Sequence, residues 1–417
     1  MDSHIKTITE QRESSILIED KNVFTPLIPQ HRTLVRMSEI IHHNHDNHDI
    51  IYQEFKPNSV VHVVCSLYKM GAAPKHLDDY YNKVKNGLNS LSEVKYTINT
   101  GNYKDFIGYK DSYSSYLKFF DQQVKVLGMT QALKKYISAA IPGLMGAFLN
   151  PLVHIGCAVE LSNPLVAAEG LAYAYSYYVS YELFKTIELK EFENESEKES
   201  KKIEHNDYVN KSEFKSYSAY LIREKLEEIG TERLKVNEGG RNKSIMMQNV
   251  IEKNSPNILK LVKYWGVNKN NIDECIKDLS IGTVEIFSES YHKNIFDFFF
   301  LHSLTGNHSV RTILPILDLK DKVRLLNINF VALTVFFLTQ TIPEPAETFT
   351  LIPEEIEEGE NNDILWSKIY DSSRKSLYAR LIKGTRSLYE LQKEFGKMNG
   401  LFVKPAAFAV SNVLRNE

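Results

Sequence analysis

Apolar positions along this chain recur mainly at spacings of three and four, the period of helices whose one face is buried. Residues 59–71 place Val61, Cys65 and Tyr68 on one face and end at Gly71, which predicts a buried helix despite the β-branched start. Pro74 opens a second helical segment, proline being tolerated in a first turn, so the two form a helical hairpin. Residues 102–121 set Tyr103, Phe106, Tyr109, Tyr113, Tyr116, Phe119 and Phe120 at mostly helical spacing. This predicts a helix or helix pair with an aromatic face, serving as core, as the wall of a pocket for a planar ligand, or as both. Helical texture continues through 128–136 and 139–149, interrupted at Pro142, then through 150–160. An alanine- and tyrosine-rich stretch, 165–184, reads as one long helix. Residues 218–290 carry an apolar face that includes Ile258, Leu261 and Trp265. Residues 318–326 read as a link to a buried helix at 330–338, and 364–395 as an amphipathic basic helix. The sum predicts an all-α fold: one compact multi-helix domain over residues 1–417, with an aromatic-lined central pocket.

Polar stretches punctuate this pattern. Residues 1–30 show no period and predict an irregular arm, residues 189–215 a flexible charged insertion, and residues 343–362 an acidic surface loop. His42, His43, His45 and His48 lie in an Asn/Asp/His-biased patch, which predicts a surface loop rather than a metal cluster.

Composition narrows the function classes. A hydrophobic share of 43% and a charged share of 25% over 417 residues are those of a globular protein with a large core. Fifty basic against fifty-three acidic residues, net −3, argue against nucleic acid or an anionic membrane as main partner. The apolar runs 139–149 and 330–338 are too short to span a bilayer, and the first residues lack the apolar core of a signal peptide, so the expectation is cytoplasmic. Cys65, Cys157 and Cys275 are far apart along the chain and form no CxxC, which indicates neither a disulfide framework nor a cysteine zinc site. Dinucleotide, P-loop, esterase-elbow and HExxH signatures do not occur.

What stands out is histidine in apolar frames. Residues 298–311 begin with Phe298-Phe299-Phe300-Leu301 and then place His302, Thr305 and His308 close together, while His62 and His154 sit in two other apolar segments. A buried imidazole needs partners for both ring nitrogens, which leaves hydrogen-bonded core histidines or metal ligands on facing helices. With few cysteines, such a site would suit Fe, Zn, Cu or Ni better than Mg or Ca. Glu160, flanked by Val159 and Leu161, calls for a buried partner of its own. Residues six apart point about 120° away from each other on a straight helix. For His302 and His308 to share one ion, the expectation is therefore a break or bend at Gly306.

Several blocks carry a family resemblance: His62 with Leu67-Tyr68-Lys69-Met70-Gly71-Ala72, residues 113–120, Pro151 to Gly156 with Glu160, residues 302–311, and Lys383 with Arg386. In order and approximate spacing the chain resembles the questin oxidase-like proteins from about residue 55 to about residue 390. The resemblance implies an oxidoreductase that opens or oxidises polycyclic aromatic polyketides with O2. It further implies a mononuclear non-haem iron held by His62, His154, His302, His308 and a carboxylated Lys383, with Thr305 near bound oxygen. NADPH is a second cofactor it allows. Two family histidines are replaced here, by Asn58 and Asn150, which bears on ligand orientation and substrate choice. The alternatives are an NADPH-dependent Baeyer–Villiger oxidase without metal, a helical ligand-binding protein without catalysis, and a zinc hydrolase. Small-molecule aromatic substrate and O2 are the expected partners, and the sequence carries no signal for oligomeric state.

Overall fold

The computed structural model describes residues 31–54, 56–190, 215–231, 242–289, 297–339 and 362–416. The arm at 1–30 and nearly all of the segments 189–215 and 343–362 lie outside them. The described residues form the following helices: α1 His31–Asn47, α2 Val60–Lys69, α3 Pro74–Val84, α4 Tyr113–Leu127, α5 Met129–Ala140, α6 Asn150–Leu161, α7 Pro164–Ser176, α8 Glu182–Lys190, α9 Lys243–Trp265, α10 Ile272–Glu289, α11 Phe298–Ile313, α12 Leu319–Leu338, α13 Asn362–Lys375, α14 Ala379–Phe395 and α15 Val403–Asn416. A short helical segment also runs through 217–228, and strands β1 (Ile51–Tyr52) and β2 (Lys56–Pro57) make one small antiparallel pair. The fold is all-α. Among the described residues no helix is long and apolar enough to cross a membrane.

Four helices organise the interior. α2 packs on α6, α6 on α11, α11 on α14, and α14 back on α2, so they close into a ring. α7 backs α6 from outside the ring, with α1 and α4 packed on α7 in turn, while α10 and α12 cover the outer side of α11. The ring is tight because glycine removes side chains at two contacts. A Cβ on Gly156 of α6 would sit 2.5 Å from the Ser309 hydroxyl of α11, and a Cβ on Gly306 of α11 would sit 2.8 Å from Leu149 at the start of α6.

Gly306 therefore serves helix–helix approach and not a bend. α11 runs unbroken from Phe298 to Ile313, started by the Asp297 carboxylate accepting from the Phe299 and Phe300 N–H groups. The expected distortion between His302 and His308 is absent, which counts against a single ion shared by both.

Five other expectations change. Residues 42–47 continue α1: Met37, Ile40, Ile41, Asn44 and His45 repeat at helical spacing along its buried face, which carries His45 inward. Residues 102–108 are turns, and the aromatic helix starts at Tyr113. Tyr116, Phe119, Phe120, Tyr136 and Tyr175 pack ring on ring as core, with Tyr103 stacked on Phe119 at their edge. The stretch 165–184 is two helices, α7 and α8, because the Tyr175 carbonyl accepts from Gly108 N–H (2.8 Å) instead of continuing the ladder. Residues 319–326 are already helical, capped by Asp318, and 364–395 is split into α13 and α14.

Alanine at the two ring glycines should separate in effect. Gly156→Ala must displace the Ser309 backbone (3.0 Å) as well as its side chain, and is expected to cost about 1–3 kcal/mol through overpacking. Gly306→Ala meets a flexible leucine tip and should cost less, helped by the better helix propensity of alanine. Urea midpoints of the two variants at unchanged m-value measure the difference.

Candidate active site

Each helix of the ring contributes residues on successive turns: His62 and Cys65 from α2; His154, Cys157 and Glu160 from α6; His302, Thr305 and His308 from α11; Lys383 and Arg386 from α14. These residues fall into two neighbouring clusters. In the first, the His62 and His154 rings meet edge to face with centroids 5.1 Å apart. Burial holds His62 well below the usual imidazole range, and His154, Lys383 and His302 push it the same way, which puts all four in one field. Burial, aided by Lys383, lowers His302 to about 3, so it is a neutral imidazole. Burial followed by the charge of Arg380 brings Lys383 down to about 8. Among the described residues no carboxylate pairs with that amine.

The hydrogen bonds assign the ring tautomers. His154 Nε2–H donates to Glu169 Oε2 (2.7 Å), which leaves Nδ1 buried and unpartnered. His302 Nδ1–H donates to the Phe298 carbonyl (2.6 Å), which frees Nε2. His308 Nε2–H donates to Glu160 Oε1 (3.1 Å), again leaving Nδ1 buried without a partner, and His62 has neither nitrogen partnered. Buried polar atoms are rarely left unsatisfied. Imidazole nitrogen is the donor type that suits a borderline cation such as ferrous iron. Thr305 lies between the two α11 histidines, 5% exposed, its hydroxyl donating to the Leu301 carbonyl.

The second cluster surrounds Glu160. Burial alone would raise its carboxyl, but the charges of Arg386 and His308, with their hydrogen bonds, hold it well below the usual range. Arg386 Nη2 donates to Glu160 Oε1, and the Cys65 thiol approaches Oε2 at 3.7 Å. Cys65 and Cys157, remote in sequence, are thus brought together. Cys157 is pushed well above the usual thiol range, by its hydrogen bond with Cys65 first and by burial next.

His62, His154, His302 and Lys383 are gathered as one group, whereas His308 is held one cluster away by Glu160. Among the described residues no three of the histidine nitrogens lie within 4.8 Å of one another; that spacing is met by Cys65, Cys157 and Glu160. Asn58 bonds Asn44 and the Asp49 carbonyl, and Asn150 the Ala147 carbonyl, so both are satisfied away from the histidines. Sequence reasoning missed Glu169 and His45. The signal for Glu169 was a carboxylate inside the alanine-rich run 166–176; for His45 it was the continued period of α1. A cleft of about 390 Å³ lined by Tyr103, Lys104, Lys135 and Arg324 lies elsewhere, on the aromatic side of the fold.

The profile of the Questin oxidase-like family matches residues 57–388, a span that includes every residue of both clusters. The chain is similar to a Baeyer–Villiger monooxygenase of Cryptosporiopsis sp. (24% identical over 164 residues, 35% of each chain). It is similar also to a Baeyer–Villiger oxidase of Aspergillus sp. (26% over 155 residues, 35% of this chain and 33% of that protein). A questin oxidase of Aspergillus terreus is 21% identical over 170 residues, 35% of this chain and 38% of that protein. The matched segment thus spans about a third of the length of these relatives.

The Glu160 cluster has a defined acid response. A carboxyl depressed on folding stabilises the fold fully above its unfolded value of about 4.3, and that contribution is lost as pH falls toward the depressed folded value. Wild type should lose stability over that acid range, and Glu160→Gln should lose less, as read from urea unfolding at stepped pH. Glu160→Ala, which strands Arg386 as a buried charge, is expected to cost about 3–5 kcal/mol near neutrality.

Proposed function

The chain belongs to the Questin oxidase-like family, and from that premise we propose that it is an oxidoreductase that uses O2 to oxidise or open a polycyclic aromatic, anthraquinone-like polyketide at a mononuclear non-haem iron. The observation that carries the proposal is His62, His154 and His302 gathered with Lys383 inside the α2–α6–α11–α14 ring, each imidazole keeping a nitrogen without a protein partner among the described residues, with His308 one cluster away beside Glu160 and its Nδ1 likewise unpartnered. His62, His154, His302, His308 and Lys383 would hold the metal. A bound ferrous ion supplies the electrons that let O2 react with a closed-shell aromatic.

The residues of this chain account for the rest. Lys383, lowered to about 8 by burial and Arg380, keeps a share of neutral amine near neutral pH. Its Nζ lone pair would add to CO2 with loss of one proton, and the carbamate oxygen so formed would be an anionic ligand able to balance ferrous charge. Glu169 and Glu160 hold His154 and His308 by Nε2 and leave Nδ1 of each as donor. On an unbroken helix Thr305 lies half-way between His302 and His308, about 60° and roughly 4.5 Å from each. Because α11 is unbroken, His302 and His308 leave it about 120° apart, and sharing one ion would require their side chains to swing toward each other. The Thr305 hydroxyl, by leaving the Leu301 carbonyl, could donate to an oxygen placed beside it.

A second reading is favoured by the similarity to the Cryptosporiopsis Baeyer–Villiger monooxygenase. In it NADPH is the reductant: ketone, O2, NADPH and a proton give ester, NADP+ and water, with the histidines as acids, bases or substrate contacts.

Anaerobic Fe(II) reconstitution with metal analysis separates the two. One iron per chain is expected in wild type, and none in the His302→Ala/His308→Ala double variant with helical circular dichroism retained. Metal-free protein that still consumes NADPH with an anthraquinone substrate would overturn the iron reading. Lys383→Arg keeps a cation but forms no carbamate, and should weaken Fe(II) binding at least about 10-fold.

A further inference from the structure

Glu160 and Glu169 stand in equivalent relations to the site. Each accepts from Nε2 of a histidine, His308 and His154 respectively, and each spends its remaining capacity on a second cationic or cation-capable group. For Glu160 that group is Arg386. For Glu169 it is His45, whose Nδ1 lies 2.9 Å from Oε1 while Glu169 Oε2 serves His154. His45 Nε2 lies 3.3 Å from Asp121, whose side chain is 38% exposed, so a chain of four groups on four helices runs from the surface to the histidine cluster. Glu169 and His154 are each 1% exposed or less.

We propose that His45 is a positioning residue: by holding one oxygen of Glu169 it sets the other against His154, fixing the ring orientation and the Nε2–H tautomer that leave His154 Nδ1 free. This rests on the reading of His154 as a metal ligand. A purely structural role explains the arrangement less well, because a buried ion pair often adds little stability over an apolar replacement. A carboxylate with one unmet oxygen, in contrast, is free to turn and no longer defines which ring nitrogen it meets. Outer groups of this kind commonly set ligand geometry and affinity. His45 also keeps its place by charge: burial would lower it, but its hydrogen bonds to Asp121 and Glu169 raise it to about 10, so it stays a double donor near neutral pH.

The test uses full-length protein labelled with 15N-histidine, with His154→Ala identifying the His154 signals, and Co(II) as the probe metal. Wild type is expected to show His154 as a single Nε2–H tautomer. His45→Leu should lose that single signature and bind Co(II) about 10- to 100-fold more weakly, and His45→Gln, which retains an N–H donor, should recover most of both. An unchanged tautomer and unchanged Co(II) affinity in His45→Leu would overturn the proposal, as would His45→Gln behaving no better than His45→Leu in a folded protein. Should His45→Leu fail to fold, Asp121→Asn perturbs the exposed end: a shift of the His154 signals together with those of His45 supports the assignment, and a shift of His45 alone refutes it. Wild type that binds no Co(II) removes the metal reading, and the metal-free tautomer measurement then decides the role of His45 by itself.

Discussion

A carboxylate taken out of water costs several kcal/mol unless charge and hydrogen bonds replace its hydration. Glu160 and Glu169 are both withdrawn in this way, and what they recruit shapes the interior: Arg386 and His308 around the first, His45 and His154 around the second. Four helices approach closely enough to place these groups because Gly156 and Gly306 remove side chains where α6 and α11 touch. The bulk of the fold is apolar packing that many sequences could achieve. The polar interior is what this packing exists to hold at fixed separations.

The two clusters differ in character. Around Glu160 the donors and acceptors largely answer one another, since guanidinium, imidazole and thiol all converge on one carboxylate. Around His62 they do not: imidazole nitrogens stay unpartnered, and a lysine amine is buried without a carboxylate. Unsatisfied groups of this kind lower stability, and here they are concentrated in one place.

Family membership and geometry bear on different questions. The profile match shows to which family the chain belongs; it says nothing about how His308 and His302 are presented. The unbroken α11 changes that picture. With no kink beside Gly306, the two side chains leave the helix about 120° apart.

Much was legible in the sequence, for local reasons. Spacings of three and four marked the helices, apolar frames marked His62, His154, His302 and His308 as interior, and charge-rich, aperiodic stretches marked the breaks. Glu160 stood out because a charge between valine and leucine demands a partner. The partner itself was not legible, since Arg386 is 226 residues away. The same holds for Cys65 with Cys157, and for His45 with Glu169, 124 residues apart. Periodicity states which face of a helix is buried; it cannot state which helix covers it. The sequence by itself determined an all-α fold with histidines inside. Tertiary structure alone decided which of them meet, that Gly306 permits contact instead of bending, and that a histidine from a polar patch becomes part of the interior, because those outcomes depend on contacts between segments that no local pattern encodes.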